Sequence, residues 1–359
     1  SFINKRIKLI MAYTTINKPL EHFNTKPYTG NGSSNALTGI GFQTDMIWSK
    51  NRSRTSTNHV VSDTVRGIGK GLYPDLSNSE GNTNYISAIG SDGYTIAATD
   101  SVEINKLNDT FVSWNWKANG AGSANTAGSI NSTVSANTTS GFSIVSWTGN
   151  SGTVGHGLGV KPGMIMVKSR QTSNNWVVMH KSLTGGMDTN IVVLNSTGAE
   201  GGGGAGMAEP TSDVFTITGG LAANDNNIAY CFAEKQGFSK FGNYIGNGST
   251  DGTFVYTGFK PAFTLIKRVD SSTGGSWILF DNKRGNNVRN PVDVVLAASN
   301  NATEVEWGTN YDCDYLSNGF KWRYNGSAGY NNTSGATYIY MAFAEAPLVG
   351  TNNVPCTAR

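Results

Sequence analysis

At 359 residues the chain has the length of two or three domains, yet only 14% of it is charged, against roughly 25% in ordinary globular proteins. Glycine alone fills 45 positions, and Asn, Ser and Thr supply much of the remaining polarity; that profile excludes coiled coils and long helical bundles, while 10% aromatic residues exclude a disordered chain. The net charge of +3 is carried by scattered Lys and Arg without the basic stripe that nucleic-acid binding requires, and no apolar run approaches the ~20 residues of a membrane-crossing helix.

The first stretch, SFINKRIKLIMAYTT, has basic residues around an apolar segment too short for a signal peptide, so export by that route is not expected. Residues 1–27 carry no core of their own and read as an arm that docks on a neighbour. From Tyr28 onward the chain repeats itself. Three openings align: Tyr28-Thr29-Gly30-Asn31-Gly32, Trp147-Thr148-Gly149-Asn150 and Tyr244-Ile245-Gly246-Asn247-Gly248. Each is followed by an apolar run ending in a basic residue, at Lys50, Lys168 and Lys267, and then by a second apolar run around Val60-Val61, Trp176 to Met179 and Trp277 to Phe280. Polar turns then lead into aromatic strands at Tyr94, Phe215 and Phe320, and each copy closes on an alternating run, the last two ending in Cys231-Phe232-Ala233-Glu234 and Ala342-Phe343-Ala344-Glu345.

A repeat of about 100 residues is that of whole domains, longer than a solenoid period. Period-2 alternation over short runs separated by Gly/Asn/Ser turns predicts six or seven strands per copy. The expected fold is all-β: a tandem array of three related antiparallel β-sandwiches of jelly-roll or lectin-like type, with repeats at 28–120, 141–240 and 241–348 and a tail at 349–359. The Gly/Ser/Asn-rich stretch 121–140 reads as a linker, either a flexible connector or a lightly paired strand. Only a short seam separates repeats 2 and 3, so these two are expected to pack together. The Gly201-Gly204 run reads as a mobile loop tip.

No catalytic constellation stands out. The four histidines, His22, His59, His156 and His180, lie in no HExxH pattern, and no serine sits in GxSxG. His156, between glycines, reads as a turn residue. Asp312 and Asp314 flank Cys313 and could be taken for a glycosidase pair, but residues two apart on a strand share one face and form a solvated edge more often than a site. The three cysteines have no metal-ligand spacing, and Cys231 reads as a small core residue. Catalytic residues, metal sites and cofactors are therefore not expected. One constellation recurs: Lys50 with Asp63, and Lys267 with Asp281, with His180 in the corresponding place of the middle repeat. These are expected to meet as structural cross-strand pairs. Most tryptophans fall in strand patterns and read as core, Trp114 and Trp116 on one face of a closing strand. Trp307, in an aperiodic stretch, and Tyr311 after it are the candidate ligand-stacking residues.

The openings, together with Met11-Ala12-Tyr13-Thr14-Thr15, Gly141-Phe142-Ser143-Ile144-Val145-Ser146-Trp147, Val154-Gly155-His156-Gly157-Leu158-Gly159, Cys231-Phe232-Ala233-Glu234 and Ala346-Pro347-Leu348-Val349-Gly350, resemble the virion structural, tail-fibre-like proteins of tailed bacteriophages from aquatic environments. That resemblance implies a non-enzymatic component of the phage particle, a tail fibre or adhesin that contacts the host surface through glycans. Its partners would be other virion proteins and copies of itself, with no nucleic acid and no membrane insertion. The alternative it leaves open is a capsid decoration or head-fibre protein docked through its N-terminal arm. Relatives of this kind begin at the position of Met11, so residues 1–10 read as an upstream extension.

Overall fold

Alternating runs become strands and Gly/Asn turns become reversals throughout the computed structural model, which describes residues 12–202, 208–219, 225–285, 290–306, 312–326, 329–351 and 354–356. Unit 1 comprises β1 (Phe23–Thr29), β2 (Asn35–Leu37), β3 (Met46–Asn51), β4 (Val60–Asp63), β5 (Lys70–Gly71), β6 (Gly81–Asn82), β7 (Ile86–Gly90), β8 (Gly93–Ile96) and β9 (Thr110–Trp116). Unit 2 comprises β10 (Ser123–Asn125), β11 (Ser132–Asn137), β12 (Phe142–Thr148), β13 (Gly152–Gly155), β14 (Met164–Ser169), β15 (Val177–His180), β16 (Asn190–Val193), β17 (Gly201–Gly202), β18 (Val214–Ile217) and β19 (Asn226–Phe232). Unit 3 comprises β20 (Ser239–Ile245), β21 (Phe254–Tyr256), β22 (Phe259–Arg268), β23 (Ile278–Asp281), β24 (Val294–Ala297), β25 (Val305–Glu306), β26 (Cys313–Leu316), β27 (Gly319–Trp322) and β28 (Thr337–Pro347).

Each unit is an antiparallel sandwich built on one plan. The opening strand pairs with the closing strand, which pairs in turn with the second long strand: β1-β9-β3-β4, β12-β19-β14-β15 and β20-β28-β22-β23. A smaller sheet covers one face: β2-β8-β7, β13-β18 and β21-β27-β26. Equivalent residues follow from register. Met46 opposes Trp116, Met164 opposes Phe232 and Phe263 opposes Phe343, and on the other side these same residues oppose Asp63, His180 and Asp281.

The YTGNG openings have a steric basis. A Cβ on Gly30 would lie 2.1 Å from the Lys106 carbonyl oxygen, and one on Gly246 would lie 2.2 Å from that of Thr333, so only glycine lets the opening strand pass its closing loop. The buried amides of Asn105 and Asn332 then clamp the Asn of each motif, donating to Asn31 Oδ1 and Asn247 Oδ1 at 3.1 and 3.0 Å.

The three sandwiches close on one another. One face of each large sheet packs on its own small sheet, giving cores around Tyr94 and Ile47, around Trp147 and Phe215, and around Tyr244 and Phe320. The opposite faces meet in a fourth core shared by all three units. At its centre the rings of Trp116, Phe232 and Phe343 form a triangle with centroid separations of 6.3, 5.8 and 6.1 Å. Buried on both faces, β3 and β14 are covered along their whole length. Separating a unit from this core would forfeit on the order of 2–3 kcal/mol for each large side chain exposed.

Two expected boundaries move. The segment 121–140 is no free linker: β10 and β11 extend unit 2's large sheet, with β11 paired along β12 from Ser132↔Trp147 to Asn137↔Phe142. Of the two readings of this stretch, the paired strand is the one found, and its Gly/Ser/Ala composition carries few apolar anchors. Unit 1 begins at Phe23, inside the expected arm. The preceding residues dock on the same chain: Tyr13 OH donates to the Gly258 carbonyl of unit 3 at 2.8 Å, Thr14 Oγ1 donates to that of Gln236 in the seam between units 2 and 3 at 2.7 Å, and Ile16 is buried in the shared core. Of the Gly201-Gly204 run, Gly201 and Gly202 pair with Ile191 and Asn190, and the rest lies outside the described residues.

Candidate functional site

The recurrent lysines and aspartates do not meet. Lys50 Nζ donates to the carbonyls of Asn51 and Thr57 and to the Thr57 hydroxyl at 2.9–3.0 Å. Lys168 Nζ donates to the carbonyls of Ser169 and Thr172, and Lys267 Nζ to those of Thr197 and Gly275. All three side chains are fully buried. Burial pushes their pKa values down, to about 8 for Lys50, about 8 for Lys168 and about 7 for Lys267. The expectation of cross-strand pairs fails on register: Lys50 and Asp63 sit at opposite ends of the β3–β4 ladder, because Asp63 opposes Met46. The same offset separates Lys267 from Asp281, which opposes Phe263.

Asp63 and Asp281 instead anchor two inter-unit networks of one design. Three residues downstream of each aspartate stands an arginine whose side chain is fully buried with it: Arg66 Nε lies 2.5 Å from Asp63 Oδ2, and Arg284 Nε 2.6 Å from Asp281 Oδ2. The same carboxylates also accept from the backbone N–H groups of Arg66 and Arg284. Each arginine reaches a glutamate of its own unit, Glu80 at 3.1 Å and Glu304 at 2.8 Å. The neighbouring unit then closes each network with an aromatic donor and a second arginine. Tyr230 OH donates to Asp63 at 2.7 Å and Arg170 binds Glu80 at 2.9 Å. Trp114 Nε1 donates to Asp281 at 2.9 Å and Arg52 binds Glu304 at 2.6 Å. Burial opposes the charge on Arg66, but Asp63, Tyr230 and Glu80 more than offset it and raise its pKa.

The third interface lacks this set. His180 stands where the other units have aspartate, Leu183 where they have arginine, and Val269 where Arg52 and Arg170 stand. The backbone contact survives: the amides of Glu80, Glu200 and Glu304 donate to the carbonyls of Arg170, Val269 and Arg52. A second ring of contacts runs through the residue before β4, β15 and β23. His59 Nε2, Trp176 Nε1 and Trp277 Nε1 meet the carbonyls of Ala297, Tyr73 and Val193 at 3.1, 2.9 and 2.9 Å. Unit 1 thus reaches into unit 3, unit 2 into unit 1, and unit 3 into unit 2. The contacts close a ring.

The buried histidines are spent in the same way. The Nδ1 atoms of His59, His156 and His180 accept from Trp48 Nε1, Leu158 N and Ser182 N, while their Nε2 atoms face the carbonyls of Ala297, Thr211 and Tyr340. Accepting at one nitrogen and donating at the other requires the neutral imidazole, and burial lowers all three pKa values, that of His180 to about 4. None is available as a surface base. Cys231 is fully buried, and burial raises its thiol pKa. Asp314 is committed to Arg323, whose Nε lies 2.5 Å away, and burial raises the Asp312 carboxyl to about 6. Trp307 and Tyr311, the candidate stacking residues, lie outside the described residues. Among the described residues no three His, Cys, Asp or Glu side chains gather into a metal-holding cluster, and no helix is long and apolar enough to cross a membrane.

The surface offers one seam the sequence did not announce. Alongside β20, a groove runs between Lys181, Lys240, Tyr256 and Tyr340. Lys240 Nζ sits 5.3 Å from the Tyr256 ring centroid, and Lys181 is paired with Glu234 at 2.7 Å. Three large apolar residues stand exposed along this side: Ile245 at 60%, Tyr256 at 48% and Phe254 at 42%. The corresponding side of unit 2 is covered by the 121–140 segment, where β11 pairs with β12 and Ile130 bridges to Val154. The signal for the seam lay in Phe254-Val255-Tyr256, whose alternation buries only its central residue.

No curated protein matches the chain. Residues 18–347 match the family described as Domain of unknown function (DUF7483), a span that takes in all three sandwiches and their shared core. The chain belongs to that family.

Proposed function

We propose that this chain is a non-enzymatic structural protein of a bacteriophage particle, acting as a tail fibre or adhesin at the host surface. The observation that carries this reading is where the reactive chemistry goes. Buried lysines, histidines, aspartates and arginines are closed by hydrogen bonds within and between the units, which serves a rigid body and leaves its turns to contact the outside. Recognition on a rigid β scaffold is carried by such loops. A surface glycan is the receptor class, with Trp307 and Tyr311 as the residues at which to test it. Other virion proteins and further copies of the chain are the partners.

A second reading, a capsid decoration protein, is favoured by one specific feature. Three equivalent sandwiches in one closed ring give a single copy the outline of a trimer, which suits a threefold position on a capsid lattice. The N-terminal segment would not be free for that docking, since Tyr13, Thr14 and Ile16 are held by unit 3, by the seam before it and by the shared core.

Electron cryo-microscopy of the intact particle tests both. Density for the chain at the tail, together with binding of the purified protein to host cells that is lost on Trp307→Ala, is the expected result. Density on the capsid lattice would replace the first reading by the second, and absence from the particle would overturn both.

A further inference from the structure

The opening strands β1, β12 and β20 are equivalent, and their outward edges are treated in three different ways. Register aligns them: Val112, Ile228 and Ile339 each oppose a buried lysine on one side and Pro27, Ser146 and Asn243 on the other. In unit 1 the outward position is Pro27, which has no N–H to offer and blunts the edge. In unit 2 it is Ser146, paired with Thr133 of β11. In unit 3 it is Asn243, exposed, with no strand of the described residues beside it.

The parity of β20 is fixed at both ends, where Ala344 N donates to Phe238 O and Gly246 N to Ala336 O. Even-numbered residues therefore bond to β28, and Phe241, Asn243 and Ile245 turn their backbone groups outward. Two of those groups are already closed: Phe241 N donates to Glu234 Oε1 at 3.0 Å, and Ile245 O accepts from Thr253 Oγ1 at 2.8 Å. Among the described residues, Phe241 O, both groups of Asn243 and Ile245 N are left open.

We propose that β20 pairs antiparallel with β20 of a second copy about a twofold axis at Asn243. The pattern of open groups is self-complementary. Asn243 N and O would bond O and N of the other Asn243, and each Ile245 N would bond the other copy's Phe241 O. The two closed groups, Phe241 N and Ile245 O, are those that would otherwise have faced each other across this ladder. Four hydrogen bonds form, and each open group between Phe241 and Ile245 is paired. Such isologous pairing is the form closed dimers take. It places Ile245 against the facing strand and covers part of the seam where Phe254 and Tyr256 stand exposed. Lys240, the charge on this strand, points to the opposite face and lies over the Tyr256 ring, so it does not guard the edge. The proposal specifies the self-association contained in the proposed function and rests on it only to that extent.

Light scattering coupled to size exclusion tests the pairing on the full chain. The expected result is twice the chain mass for the native protein and a single chain mass for Asn243→Pro, which installs at this edge what Pro27 already supplies in unit 1, with the melting temperature unchanged. Ile245→Lys, which leaves the backbone intact, should raise the dimer dissociation constant at least tenfold, and it decides the matter alone if the proline variant does not fold. A native chain that stays monomeric up to about 100 μM, or a dimer that survives both substitutions, would overturn the proposal. Neither result bears on the particle location, which microscopy decides separately.

Discussion

Lys267 shows how much of this protein's polar chemistry is spent on holding itself together. Its ammonium group lies fully buried against the Thr197 and Gly275 carbonyls, and burial lowers its pKa to about 7. Between that value and the usual lysine range the unfolded chain holds the extra proton, so the contribution of Lys267 to stability rises with pH in this window and is least below pH 7. Lys267→Met should therefore cost least at pH 6 and more at pH 9, by up to about 1.4 kcal/mol per pH unit crossed. Denaturant midpoints at the two pH values measure this, and a cost independent of pH would contradict it. The central tryptophans give a second comparison. Trp116 Nε1 is buried without a partner among the described residues, and the equivalent residues in the other units are Phe232 and Phe343. Trp48 Nε1 donates to His59 at 3.0 Å. Trp48→Phe, which orphans the His59 acceptor, should thus cost about 1–2 kcal/mol more than Trp116→Phe, as read from urea unfolding of the two variants. At Asp63, substitution by Ala leaves the Tyr230 hydroxyl buried without its acceptor and strips Arg66 of one of its two carboxylates, Glu80 being the other, at a cost of about 3–5 kcal/mol. Asp63→His combined with Arg66→Leu, the pair that unit 2 carries as His180 and Leu183, should recover part of that loss in a double-mutant cycle. The sequence displayed Asp63 and Asp281 as recurrent, but assigned them to lysines. Sequence spacing was the available clue, since an aspartate closing the strand and an arginine three residues past it recur in both units, whereas Glu80 and Glu304 stand in equivalent places only once the fold is known.

At the scale of the element, the strands that were legible are those whose side chains alternate. The closing strands β9, β19 and β28 show large and small residues in turn, and their aromatic positions lie in the cores as expected. The segment 121–140 shows the opposite case. Its strands are made of Ser, Thr, Ala and Asn around a single buried valine, Val134, and their place is fixed by the ladder to β12 and by close backbone approach: a Cβ on Gly128 would lie 2.2 Å from the Thr153 carbonyl oxygen. Backbone pairing leaves no hydrophobic period in the sequence. If β11 is paired as described, the outward amides that bond β12 should exchange with deuterium at least a hundredfold more slowly than those of an open connector, and trypsin should not cut after Lys117 in the native protein. Fast exchange along 132–137 would return the segment to the status of a linker.

For the whole molecule, three sandwiches were readable because the openings and closings recur at about 100-residue intervals; their closure into a ring was not. Period-2 patterns say which residues are covered and are silent on what covers them. The sequence signs were the unbroken apolar runs Met164-Ile165-Met166-Val167, Trp176-Val177-Val178-Met179 and Trp277-Ile278-Leu279-Phe280, too apolar for strands with one wet face. The physical reason for the ring is that each large sheet has two apolar faces and only one small sheet to cover them. Phe263, Leu265, Leu279, Met341 and Phe343 of unit 3 would stand in water if that unit were alone. The central claim is therefore that the three sandwiches fold as one body. Differential scanning calorimetry of the full chain measures this directly. A single transition whose calorimetric and van't Hoff enthalpies agree is the predicted result. Two or three separable transitions, with an isolated 241–348 fragment melting at the temperature of one of them, would contradict it.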